Sequence, residues 1–129
     1  MTFCLNLASH CGYIYIGPIN KIQVSGEKGE LSIYPGHLQL LSFLQSGIIN
    51  FFDKNNKKHF IYISGGIIEV QPKIVNIITD IAVKISKFDK TSIVIIENSI
   101  RHVINNSLIV NKKKLLEKLS NIFKIYIKV

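Results

Sequence analysis

From Phe3 to about Val83 the chain runs in short apolar segments interleaved with polar positions, broken by Gly, Pro, Asn or Asp about every eight to twelve residues. Phe3, Leu5 and Leu7 alternate with Cys4, Asn6 and Ala8, the period of a strand with one buried face. Ile19, Ile22 and Val24 mark a second segment, Gly26 and Gly29 bracket the turn after it, and Leu31 and Ile33 lead into Pro35-Gly36. Leu38 to Leu44, Ile48 to Phe52, a polar tip at Asp53 to Lys58, and His59 to Ile63 follow. Gly65-Gly66 reverses the chain into Ile67 to Val70, and Pro72-Lys73 into Ile74 to Thr79. Consecutive strands on short turns make a meander, and the region predicts an antiparallel β-sandwich over residues 1–84.

The pattern changes at Lys84 to Lys90, where Ser86, Asp89 and the lysines form a polar joint, and a separate unit is expected over residues 88–129. Ile93, Ile96, Ile100 and Val103 recur at spacings of three and four, which places them on one helical face. Asn105, Asn106 and Ser107 suit a turn, and Asn111 suits an N-cap whose side-chain oxygen accepts a first-turn N–H. Leu115, Leu119, Ile122 and Tyr126 form a second stripe, so the pair predicts an antiparallel two-helix hairpin. The β-branched runs Ser92 to Ile96 and Ile125 to Val129 would also suit strands. The spacing of the second stripe has no strand equivalent and decides for helix. The fold class is therefore β plus a small α unit.

Composition adds that 129 residues, 47% of them hydrophobic, can close an ordinary core, which excludes a disordered chain. The net charge of +8 is uneven: residues 1–81 carry a balance of +1 and residues 82–129 the other +7. Such a basic arm calls for an acidic protein, nucleic acid or an anionic surface. Nucleic acid would want aromatics interleaved with the charge on an exposed sheet, whereas Phe123 and Tyr126 fall in or beside the apolar stripe. A small basic nucleic-acid-binding β-domain is thus the alternative, and an acidic protein partner the primary expectation. Asn6, Ser9 and His10 interrupt any signal-like apolar run, and no stretch has the length that spans a bilayer. A soluble intracellular protein without membrane insertion is expected. Cys4 and Cys11 are expected as thiols.

Candidate chemistry is sparse. Glu27 and Glu30 flank a glycine turn, where acids are ordinarily solvated, and the GEKG run of Gly26 to Gly29 lacks the Gly-Lys-Ser/Thr of a phosphate loop. Cys4, His10 and Cys11 are soft ligands, but His37, His59 and His102 are too scattered to complete four. Ser64 and Ser99 have no His and Asp partners at a familiar spacing. No catalytic residue, metal site or cofactor is expected. Gly65-Gly66 and Pro35-Gly36 read as turns requiring glycine's positive φ, with His37 exposed beyond the second. Lys112, Lys113, Lys114 and Lys118, with Lys124 and Lys128, give the last helix a cationic face.

Read as strings, those turns carry a resemblance. Gly29 to His37, GELSIYPGH, followed by Leu40-Leu41, resembles the GELGI-PGH-PLL stretch of epsilon subunits of bacterial F-type, proton-translocating ATP synthases. Tyr62 to Pro72, YISGGIIEVQP, resembles that family's YLSGGILEVQP, Ile77 to Ala82, IITDIA, its VLADTA, and Lys21 to Val24, KIQV, its second strand. The resemblance implies a ten-stranded sandwich joined to two helices, a non-catalytic rotor subunit of the central stalk. It implies binding to the gamma subunit and to the membrane ring of c subunits, on the cytoplasmic face of the bacterial inner membrane. The loop matching Glu30 and Tyr34, Pro35, Gly36 and His37 faces that ring in the family, which makes these residues contact candidates. The family's helices can extend into the alpha/beta catalytic hexamer and block ATP hydrolysis, a transient contact for which Lys112, Lys113, Lys114 and Lys118 are the candidates. The joint at Lys84 to Lys90 would be the hinge. Some members bind ATP through Ile or Leu, Asp, two free positions, Arg and Ala. Phe88 to Ile93, FDKTSI, keeps only the Asp of that pattern, so nucleotide binding is not carried over. The last helix is expected to stop, at Val129, earlier than in many relatives, and Cys11 to Pro18 matches poorly.

Overall fold

The computed structural model describes residues 1–37, 39–86, 90–107 and 111–127. Nine strands come first: β1 (Phe3–Ser9), β2 (Gly12–Gly26), β3 (Gly29–Ile33), β4 (Leu40–Leu44), β5 (Gly47–Asp53), β6 (Lys58–Ile63), β7 (Gly66–Val70), β8 (Ile74–Ile78) and β9 (Ala82–Ile85). Two helices follow, α1 (Lys90–Asn105) and α2 (Lys112–Ile127). The chain divides into two compact units, Met1–Lys84 and Ile85–Val129.

The strand count is nine among the described residues where ten were implied, and β2 holds the difference. It runs unbroken for 15 residues. Its first half pairs antiparallel with β1, and its second half with β3 on one edge and β5 on the other. One layer of the sandwich is therefore β4-β7-β8-β1 and the first half of β2, and the other is β3, the second half of β2, β5, β6 and β9. The β1–β8 pair is parallel. Register shifts at Leu7/Ala8 and Ile19/Lys21 bend the long strand. The second one resolves an irregularity of the sequence, because Ile19 and Ile22 both face inward although their spacing of three breaks the period of a strand.

Between the layers lies a continuous core that includes Phe3, Leu5, Leu7, Ile22, Phe51 and Ile77. Burying each such side chain contributes about 1.5–3 kcal/mol. Gly66 is obligatory at the β6–β7 reversal. Its φ of 152° is in the region side chains avoid, and a Cβ there would stand 2.1 Å from the Ile78 carbonyl oxygen. Ser64 serves the same reversal: its Oγ accepts from Ile81 N at 3.1 Å, and Ile81 O accepts from Thr79 Oγ1 at 3.2 Å. That tie is its structural role.

In the helical unit, Arg101 donates to Ser120 and Asn105 O accepts from Lys112 Nζ at 2.9 Å, a pairing of positions that makes α1 and α2 antiparallel. The buried positions of α1 are Ile93, Ile100 and Ile104, with Ile96 half-buried, while Val103 is exposed. The stripe therefore ends one residue later than its spacing suggested, following 3.6 residues per turn more closely. On α2, Leu119 and Phe123 are fully buried, with Leu115 and Ile122 half-buried at the sides; Tyr126's side chain lies outside the described ones. Asn111 carries the first helical bond, from Leu115 N to its carbonyl, but at φ 65° rather than in the extended backbone of a usual N-cap. Ser92 to Ile96 are helical, so period overrides β-branched propensity there. Of the expected hinge, Lys84 and Ile85 end β9 and Lys90 opens α1, while Lys87, Phe88 and Asp89 fall outside the described residues. Within the described residues, no helix is long and apolar enough to cross a membrane.

Candidate docking surfaces

The outward face of β4-β7-β8-β1-β2 departs from the polar face usual for a sandwich exposed to water. Antiparallel register sets Phe43 opposite Ile67 and Ile67 opposite Ile78. The row continues through Ala8 to Tyr13. Phe43 is 62% exposed, Ile78 66% and Leu41 72%. A sheet that is apolar on both sides is ordinarily covered on both. Beside Phe43, a groove of about 470 Å³ runs between β4 and the β2–β3 turn, lined by Gly26, Lys28, Leu31, Leu41, Phe43 and Ile67.

One row over, the same face carries a polar ladder. Leu41, Glu69, Asn76, Asn6 and Ile16 stand in register across five strands. Asn76 Nδ2 donates to Glu69 Oε1 at 3.0 Å, and Asn6 Nδ2 donates to Asn76 Oδ1 at 3.1 Å. Gln71 Nε2 makes a longer bond to the same Glu69 oxygen, 3.4 Å. The apolar row was the part that sequence reading missed. Its signal was the adjacent pairs Ile67-Ile68 and Ile77-Ile78, since two neighbouring apolar residues in a strand must point to opposite faces.

The residues expected to form one ring-facing loop are separated. Tyr34 to His37 form a tight turn in which His37 N donates to Tyr34 O at 3.1 Å, with Pro35 first and Gly36 second at φ 82°, the signature of a type II turn. Gly36 N donates to Pro72 O at 3.0 Å, which fastens the turn to the β7–β8 connection. Tyr34 is 53% exposed, under the Lys21 ammonium at 5.3 Å from the ring centre. His37 is half-buried and engaged, not exposed as its position after the turn suggested. Glu30 is elsewhere: it opens β3 opposite Ser25, beside the Gly26–Gly29 turn. Four steps of extended chain, roughly 13 Å, lie between it and Tyr34.

The cationic helix face is also trimmed. Lys113, Lys114 and Lys118 are exposed, but Lys112 is half-buried and its ammonium caps the C-terminal carbonyl of α1 at Asn105. Arg101, the sole arginine, bonds Glu97 at 3.0 Å as well as Ser120. Ser99 Oγ donates back to the Ile95 carbonyl.

The titratable cluster of the sandwich is structural in geometry. His59 Nε2 and Asp53 Oδ2 are 2.9 Å apart, and the imidazole stacks on Phe51 at 4.9 Å with Tyr15 tilted against both rings. The His59 bond is the chief cause that holds the Asp53 carboxyl below its usual range, aided by the Lys57 and Asn55 N–H groups at its other oxygen. Burial, then the nearby Asp53 charge, raises the Tyr15 hydroxyl, which donates to Pro18 O. Cys4 is half-buried in β1 and Cys11 exposed. Among the described residues no three His, Cys, Asp or Glu side chains gather at ligating range.

A family model described as ATP synthase, Delta/Epsilon chain, beta-sandwich domain matches residues 2–85. Among solved structures, the chain is similar to one in the Euglena gracilis mitochondrial ATP synthase, solved with OSCP, F1 and c-ring in rotational state 1. The TM-score is 0.69 at 23% identity, covering 95% of this chain and 78% of that one. It is also similar to a chain in the central stalk and c-ring of the Tetrahymena thermophila mitochondrial ATP synthase, with a TM-score of 0.62 at 11% identity, covering 98% and 97% respectively. At these identities the two structures establish a shared fold.

Proposed function

The chain belongs to the ATP synthase delta/epsilon family by its β-sandwich domain, and from that premise we propose that it is a non-catalytic rotor subunit of a central stalk. It couples rotation of a proton-driven c-ring to ATP synthesis as a rigid clamp. The observation that carries this reading is the apolar outward face of β4-β7-β8-β1-β2, on the unit that the family match spans. Such a face suits a permanent subunit contact, here with the gamma subunit. The turn at Tyr34 to His37, exposed at its tyrosine and pinned to Pro72, suits a small rigid contact with the ring. Glu30 is a second contact, about one strand length away, rather than a member of the same loop.

The helical unit is the regulatory part. Lys113, Lys114 and Lys118 offer an exposed cationic face to acidic segments of the alpha/beta hexamer. Lys112 would join them only after giving up its bond to Asn105. With its partners, the chain sits peripherally at the cytoplasmic face of a bacterial inner membrane. The direct test is binding of the full chain to the gamma subunit, with a dissociation constant of about 1 μM or tighter expected. Absence of binding at micromolar concentrations would sink the reading. Regulation is tested separately, by comparing ATP hydrolysis of the assembled complex with the full chain and with a chain truncated after Lys87. Equal rates over a range of ADP and proton-motive force would remove the inhibitory role and leave the clamp.

A further inference from the structure

Glu69 is the single charged side chain among the outward positions of β4, β7, β8, β1 and the first half of β2. Leu41 and Asn76 flank it in its own row, and Ile67 stands two residues along the same strand. Both of its side-chain hydrogen bonds, from Asn76 and Gln71, end on Oε1, and Oε2 takes none among the described residues. No ion pair reaches it among them either. In water that second oxygen is hydrated. Against a dry apolar partner it would lose its water, and a desolvated carboxylate needs a donor with positive charge to be tolerated.

Resting on the proposed function, we infer that Glu69 is the specificity determinant of this docking face, and that the gamma subunit meets it with one basic side chain set in an otherwise apolar patch. The apolar row gives the contact its area, while the carboxylate fixes where along the sheet the partner can sit. A partner shifted by one residue pair would leave the carboxylate buried against apolar groups, a misfit that costs more than the displaced apolar contact gains. The Asn6–Asn76–Glu69 ladder is the positioning part. Asn76 holds Oε1, and Asn6 holds the amide oxygen of Asn76, so the one carboxylate oxygen left for the partner has a defined place on the face. The sign of the charge carries the partner's chemistry: in a chain of net charge +8, this face presents an acid.

The test uses the full chain and purified gamma subunit, with dissociation constants measured at low and high salt for the native chain, Glu69→Gln and Phe43→Ser. Glu69→Gln keeps the shape and an acceptor for Asn76, so its thermal midpoint should match that of the native chain. Its affinity should fall roughly 30-fold, and its salt dependence should flatten, because the charge pair is gone. Phe43→Ser should weaken binding while leaving the salt dependence as it was. If Glu69→Gln binds with native affinity and native salt dependence while Phe43→Ser is weakened, the inference about Glu69 is overturned and the docking face stands. If the native chain does not bind gamma, the proposed function fails and takes this inference with it.

Discussion

In the sandwich, charge is nearly balanced, and buried side chains from Phe3 to Ile77 form one continuous core between two layers. In the helical unit, most of the net charge rides on two helices whose fully buried apolar positions, among the described side chains, are Ile93, Ile100, Ile104, Leu119 and Phe123. The contrast lies in what a single lost contact does. Redundant burial makes the sandwich stiff, since neighbouring core residues hold each strand from several sides. A helical pair with few buried anchors among the described side chains, like charges along one face, and the Arg101–Ser120 and Lys112–Asn105 bonds across it is the less stable of the two units. Those are the properties that the proposed clamp and the proposed regulatory hairpin require respectively.

Gly66→Ala should do the most damage to the rigidity of the sandwich. The added Cβ has no room beside the Ile78 carbonyl, so β7 and β8 must part, and the sandwich should lose more than about 4 kcal/mol in urea unfolding. A native midpoint would show that the sandwich is less rigid than its packing implies. Next is Phe123→Ala, which should cost about 3–5 kcal/mol and erase most of the helical circular dichroism while the sandwich's unfolding midpoint stays in place. A single shared transition, shifted as a whole, would mean that the two units do not fold separately.

The smallest effect sharpens the sandwich side. A carboxyl whose folded pKa is lowered contributes stability above its unfolded value near 3.8, and that contribution is lost as pH falls through the folded pKa. Asp53→Asn should therefore lower the sandwich's thermal midpoint slightly at neutral pH. The two curves should converge as pH drops below the ordinary carboxylate range. Parallel curves over the whole range would assign the effect of Asp53 to its backbone bonds at Asn55 and Lys57 rather than to its charge.

Strand positions were legible because turn chemistry is local. Gly29, Gly36, Gly65 and Gly66 all take positive φ, so the residues that had to be glycine gave away where the chain reverses. The strand count and the site were less legible because both depend on pairing at a distance. Nothing local tells that β2 continues through Pro18 and changes partners halfway, or that Glu30 and Tyr34 end up at opposite ends of β3. Likewise the buried stripe of α1 was off by one at Val103 and Ile104, adjacent apolar residues that only packing distinguishes. The ladder Asn6–Asn76–Glu69 was invisible for the same reason: its members come from three strands, and Asn6 reaches its partner across 70 positions of sequence.

The parallel pairing of β1 with β8 has a consequence for the order in which the chain is made. Emerging from a ribosome, β1 can find β2 at once, as the two form a hairpin, but its other edge has no mate until β8 has been synthesised. For that interval a strand alternating Phe3, Leu5 and Leu7 presents an open row of backbone groups and a greasy face to whatever is nearby. The nascent sandwich is thus exposed to aggregation early and relieved of that exposure late, by a segment near the end of its own domain.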